Sequence, residues 1–272
     1  MAPLPFDTCW ERVARAEFHR QSLIQIWNDL DTDKIYASKA KIDHDGNGKF
    51  LIRTVQRDWL LPFSLQFGEM LYQLRSALDS CVYDAAVLKF KQNPPPDKEK
   101  WEFVFRADSA QFEEAMRRMK KIIPQEIRDL IEAVQPYRGV TGRHENKVWD
   151  IGATLVVLND WARMDRHRKL HLIGTAVVEG NLRIILPAGK GMSLEYCNFT
   201  TDNRILEHEH EFASFKIRNF VPDAEVHMNP QFSFDITVDE TPRVRLQDIS
   251  IAMSLSVQIV REQFEQHFGI KR

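Results

Sequence analysis

The stretch Tyr72-Gln73-Leu74-Arg75-Ser76-Ala77-Leu78-Asp79-Ser80-Cys81-Val82-Tyr83 reads as part of one strong helix. At roughly 100° per residue, Leu71, Leu74, Leu78, Val82 and Ala85 fall in one narrow apolar stripe. Arg75 stands on the shoulder of that stripe, Asp79 next to it, and Tyr72 and Tyr83 lie beyond. Unpaired charge at a core boundary costs several kcal/mol, so Arg75 and Asp79 need partners. Two readings follow: an ion-pair network tying this helix to its neighbours, or a polar site beside the core.

Working outward, Pro62 punctuates the chain before this helix, which the periodicity extends from about Ser64 to Lys91. Pro94-Pro95-Pro96 ends it, since prolines supply no amide donors and resist helical geometry. Upstream, Trp10, Val13, Ala14, Phe18, Leu23 and Ile24 mark a helix from about Phe6 to Leu30. Between the two, Ile35–Ile42 and Lys49–Val55 are strand-like runs joined by Asp43-His44-Asp45-Gly46-Asn47-Gly48, a β-hairpin at about 35–55. Asp43, Asp45, Asn47 and Gly48 imitate the opening of a calcium loop. The closing position holds Thr54 instead of a bidentate carboxylate, so a turn is the better reading.

Downstream, Trp101–Phe105 is a short strand-like run. Asp108 or Ser109 can cap a helix through Phe112, Ala115, Met116 and Met119, and Pro124 opens another that Gln135-Pro136-Tyr137 stops. After a polar loop at Arg138–Asn146, Val148–Arg168 reads as a helix. From Leu170 the period becomes alternating, with strands at Ala176–Val178, Leu182–Leu186, Phe212–Ile217, Glu225–Met228 and Phe232–Val238. A last helix spans about 246–268. The fold class expected is α+β, with a helical domain at 1–170 carrying the inserted hairpin and an antiparallel β portion at 171–272 closed by the final helix.

The chain has 272 residues, 43% hydrophobic and 28% charged, with a formal net charge of −2. That composition is ordinary for a globular protein and gives no overall attraction to polyanions, so any nucleic-acid site must be a local patch. Cys9, Cys81 and Cys197 are widely spaced and form no C-x-x-C, which argues against a disulfide framework or a cysteine zinc site. No apolar run reaches the length of a membrane span, and a cytoplasmic location is expected. No Gly-rich phosphate loop or serine elbow is present, and no cofactor is implied.

The motif Leu74-Arg75-Ser76-Ala77-Leu78-Asp79, followed by Gln135-Pro136-Tyr137 and by Asp165-Arg166-His167-Arg168 closing a later helix, resembles a family of uncharacterised bacterial and phage proteins. That family in turn looks similar to HEPN-type helical domains. The resemblance covers most of the first 175 residues. It implies RNA or nucleotide as partner, a possible role in phage defence and a homodimer. In such ribonucleases an arginine stabilises the scissile phosphate and a histidine a few residues later moves the proton at the ribose 2′-hydroxyl. Here Ser80 stands where that histidine belongs and Tyr72 replaces the one before the arginine.

On this reading Arg75, Asp79 and His167 are the catalytic candidates, and Tyr72, Asp165, Arg166 and Arg168 the ligand-binding ones. Arg166 and His171 repeat the arginine-to-histidine spacing, as do Arg12 and His19. A non-catalytic binding or oligomerising module is favoured by Ser80, with a metal-independent ribonuclease as the alternative. In Glu207-His208-Glu209-His210-Glu211, a strand would put His208 and His210 on one face, with Glu225 or His227 as a further metal ligand. Polar alternation on a solvated strand explains the run more simply. Arg117-Arg118-Met119-Lys120-Lys121 fits a solvated helix face.

Overall fold

The computed structural model describes residues 4–30, 35–55, 57–97, 101–119, 122–167, 173–200, 209–238 and 246–271, with residues 118–119, 166–167, 173–180 and 231–238 described by backbone alone. The fold is α+β. Among the described residues there are six α-helices, α1 (Asp7–Asn28), α2 (Leu60–Phe90), α3 (Ser109–Met119), α4 (Gln125–Ala133), α5 (Ile151–His167) and α6 (Leu246–His267), together with antiparallel strands. Those strands are β1 (Tyr36–Ile42), β2 (Asn47–Thr54), β3 (Thr141–His144), β4 (Lys147–Asp150), β5 (Ile173–Ile185), β6 (Ser193–Phe199), β7 (His210–Arg218) and β8 (His227–Val238).

The chain divides into two compact units, one made of residues 1–25, 64–171 and 247–272, the other of 26–63 and 172–246. This differs from a simple cut at residue 170. The hairpin groups with the later strands, because β2 pairs with β7. The last helix groups with the helical unit, because Met253, Val257, Val260 and Phe264 are fully buried.

The helical unit is built on α2. Leu71, Leu74, Leu78, Val82 and Ala85 are all fully buried, as the stripe requires. Burial of each such leucine contributes about 2 kcal/mol from area alone. The helix begins a turn earlier than periodicity suggests, since Pro62 sits within its first turn, where no amide donor is needed. Gly68 allows α5 to come close: a Cβ there would lie 2.5 Å from the Asp165 carboxylate.

Residues 101–105 form no strand, although Trp101, Phe103, Val104 and Phe105 are buried. The polar stretch after residue 138 does not stay a loop. It folds into the small β3–β4 hairpin, so α5 starts at Ile151 rather than Val148.

The second unit holds a four-stranded sheet in the order β1-β2-β7-β6 and a separate β5–β8 pair. Phe50 and Ile52 of β2 and Phe212, Ala213, Phe215 and Ile217 of β7 make its core, against which Leu182, Ile184 and Met228 of the β5–β8 pair pack. The strand-like runs placed five of these strands, with 176–178 and 182–186 joining into β5 and 225–228 and 232–238 into β8. It missed β6, whose outward residues are too mixed to read as a strand. The β1–β2 turn closes on itself: the Asp43 carboxylate accepts the Asp45 amide at 3.0 Å and the Asn47 amide at 2.9 Å. Gly46 has φ +80°, and a Cβ there would strike the Ile217 carbonyl oxygen at 2.2 Å.

Candidate functional site

Arg75 is 9% exposed, and each of its guanidinium nitrogens is engaged. Nε donates to Asn159 Oδ1 of α5 at 3.0 Å, Nη1 to Asp79 Oδ1 at 2.5 Å, and Nη2 to the Phe103 carbonyl at 3.0 Å. Asp79 Oδ1 also accepts the Phe103 amide at 2.8 Å. The guanidinium lies 5.5 Å from the centre of the Phe105 ring, within cation–π range. The Arg-then-Asp order, the weaker orientation for an internal pair, therefore does not prevent one. The pair is held because both side chains share a third partner.

Gln135, fully buried, does the same for the next residues: its Oε1 accepts the Arg106 amide at 2.9 Å, and its Nε2 donates to the Val104 carbonyl at 2.9 Å and the Ile131 carbonyl at 3.1 Å. Residues 103–106 are thus a segment whose backbone groups pair with side chains of α2 and with Gln135, two residues beyond α4. Arginine and glutamine stand in for a neighbouring strand, which satisfies backbone that burial would otherwise leave orphaned. Two of the motifs that carry the sequence resemblance converge on this one segment.

A cleft of about 460 Å³, lined by Leu4, Pro5 and Val87 as well as by polar side chains, opens beside Asp79. Helix α1 lends it Thr8 and Arg12, and α2 lends Ser76, Asp79, Ser80, Tyr83 and Asp84. Asn93 and Trp101 complete the wall; the Tyr83 hydroxyl bonds Asn93 Oδ1 at 3.1 Å, and the Trp101 indole donates to the Pro96 carbonyl at 2.7 Å. The Ser80 hydroxyl donates to the Ser76 carbonyl at 2.9 Å, one turn back. Arg12 Nη1 makes a long 3.4 Å bond to Gln73, and its Nε has no hydrogen-bond partner. Burial pushes the Asp84 carboxyl up from the usual carboxylate range, Asp7 adds to that, and the Phe6 amide, donating at 2.8 Å, opposes it.

The sequence candidates are therefore distributed. Asp79 lines the cleft, Arg75 lies behind it as a clamp, and Tyr72 is 46% exposed on α2. Asp165 packs over Gly68. Arg166 and His167 end α5 by their backbone, but their side chains, and all of Arg168 and His171, lie outside the described residues. His19 bonds Gln66 Oε1 at 2.7 Å. Glu207 and His208 also fall outside the description. Of the same run, Glu209 pairs with Lys39 and Glu211 lies 2.7 Å from Lys49; of the further ligands considered, His227 lies 3.5 Å from Glu225. Among the described residues, no three His, Cys, Asp or Glu side chains group as a metal site, and no helix is long and apolar enough to cross a membrane.

Sequence reading missed Arg261 of α6. It is 2% exposed, stacked 3.2 Å from the centre of the Trp10 ring, with Nε 3.6 Å from Glu265 Oε2. The indole N–H of Trp10 donates to the other Glu265 oxygen at 2.8 Å. The signal was present: Arg261 sits between Val257, Val260 and Phe264 on one helical face. Compared with known protein families, curated proteins and solved structures, the chain matches none.

Proposed function

We propose that the helical unit is a HEPN-like binding module that holds a nucleotide in the α1–α2 cleft without cleaving it. The observation carrying this reading is the contrast between two arginines. Arg75 has its hydrogen-bonding nitrogens committed to protein acceptors, whereas the Arg12 guanidinium lines the cleft held by one long bond, 3.4 Å from Nη1 to Gln73. A guanidinium with spare donors suits a phosphate. The carboxylates of Asp79 and Asp84 suit ribose hydroxyls, and Tyr83 offers ring surface to a base. The volume falls in the range of small-molecule sites. Ser80, its hydroxyl donated to the helix backbone, offers no base near neutral pH.

Calorimetric titration of the whole chain with AMP, UMP and the matching nucleosides tests this. Arg12→Ala is expected to weaken nucleotide binding about tenfold while leaving nucleoside binding little changed, the loss of one charge-assisted contact. No heat with any nucleotide sinks the reading. Cleavage of an RNA pool in EDTA that disappears in His167→Ala would replace it with the metal-independent ribonuclease.

A further inference from the structure

The outer face of the four-stranded sheet is crowded with cations. Lys39 and Lys41 come from β1, Lys49 and Arg53 from β2, and Lys216 and Arg218 from β7. The register places them opposite the side that carries Phe50, Ile52, Phe215 and Ile217. Three carboxylates share the face: Glu209 is held by Lys39 and lies 3.9 Å from Lys41, Glu211 lies 2.7 Å from Lys49, and Glu195 lies 3.2 Å from Arg218. Six cations thus stand against three anions, on a chain whose net charge is −2.

Lysines on an edge strand guard against edge-to-edge pairing, which accounts for Lys39 and Lys41 on β1. It does not account for Lys49, Arg53, Lys216 and Arg218, because β2 and β7 are the interior strands. The side chains of Lys41, Lys49 and Arg218 are 62%, 62% and 64% exposed, so the charge is presented to solvent. Tyr196 of β6 stands across from Lys216 on this face and is 40% exposed.

We infer that this face binds single-stranded nucleic acid, its cations tracking the phosphodiester backbone and Tyr196 stacking on one base. Same-face positions on a strand repeat every two residues, about 7 Å, so successive cations can meet successive phosphates of an extended strand. A basic surface with an exposed ring is the recognition mode of sequence-tolerant single-strand binders. In a duplex the bases are stacked away, and Tyr196 would find no base face. The surface shares no residue with the α1–α2 cleft and does not depend on it.

Fluorescence anisotropy of a labelled oligouridylate against the whole chain, across a salt series, tests the inference. The expected slope of log affinity against log salt is about −2, as three net cations on a single strand predict. K41E/R53E/K216E should lower affinity by at least about tenfold and flatten that slope. Tyr196→Ala should lose about tenfold with the slope unchanged, and Tyr196→Phe should restore it.

Unchanged affinity in the triple variant overturns the inference. So does equal affinity for the matching duplex, or equal binding of phosphatidylserine vesicles with the same variant dependence. Oligonucleotide binding by a chain that takes up no AMP upholds this inference while the cleft reading fails.

Discussion

Arg75 shows how a residue that looks like a catalyst can be a piece of backbone pairing. Its guanidinium, Asp79 and Gln135 supply donors and acceptors to the buried segment 103–106. Removing Arg75 leaves the Phe103 carbonyl without its donor, while Asp79, 38% exposed, keeps the Phe103 amide and solvent; removing Gln135 orphans the Val104 carbonyl and the Arg106 amide. Arg75→Ala and Gln135→Ala should therefore each lower unfolding free energy by about 1–3 kcal/mol in urea melts. If either variant melts like the parent, the clamp is not structural. Arg75→Lys should recover little, since an ammonium cannot fork to Asn159, Asp79 and Phe103 together.

Asp84 and the buried cysteines carry residue-scale predictions of a different kind. Because burial raises the folded-state pKa of Asp84 above its unfolded value, its effect on stability is most favourable below about pH 3.9 and declines as pH rises through the raised value. Asp84→Asn removes that titration. The stability of the variant relative to the parent should grow over this window and level off above it; a difference constant in pH would count against the assignment. Cys9 and Cys81 are fully buried with sulfurs 3.1 Å apart, and burial, reinforced by Cys9, holds the Cys81 thiol well above its usual range. Alkylation of the native protein should reach the half-buried Cys197 first and the other two only on unfolding, as peptide mass mapping would show.

At the scale of elements, local chemistry was legible wherever the signal was local. The Asp108 carboxylate accepts the Gln111 amide at 2.8 Å and caps α3, one of the two caps the sequence offered. Pro124 precedes α4, and Asp43 closes the β1–β2 turn. The α5 boundary was not legible, because Val148 and Trp149 fit a helical stripe as well as a strand, and pairing with β3 decided for the strand. Asp150 then became the cap of α5, accepting the Ala153 amide at 2.7 Å. Asp150→Ala should cost about 1 kcal/mol in thermal or urea unfolding. No loss would mean that α5 starts elsewhere.

At the scale of the whole molecule, neither unit is a continuous piece of chain. The helical unit draws on three segments and the sheet unit on two. A truncation ending at residue 171 removes α6 and with it the buried Met253, Val257, Val260, Arg261 and Phe264. It would also bare the core that these residues cover. Such a fragment should express as an aggregating or molten species, seen by a broad melt and strong ANS binding; a sharp melt would show that the helical unit completes itself without α6.

The sequence by itself determined the α+β class, the apolar stripe of α2, the turn at Asp43 and most element positions, because periodicity and turn chemistry act within a few residues. It also singled out Arg75 and Asp79 as charges in need of partners. Only the tertiary structure decided who those partners are. Phe103, Gln135 and Asn159 lie 24 to 84 residues away along the chain from the groups they complement. Likewise the basic sheet face arises from strands far apart in sequence, β1 and β2 against β7, whose cations gather only when the register is set. Long-range pairing leaves no periodic trace in a single chain, and so the division into units and the assembly of both surfaces were decided by packing.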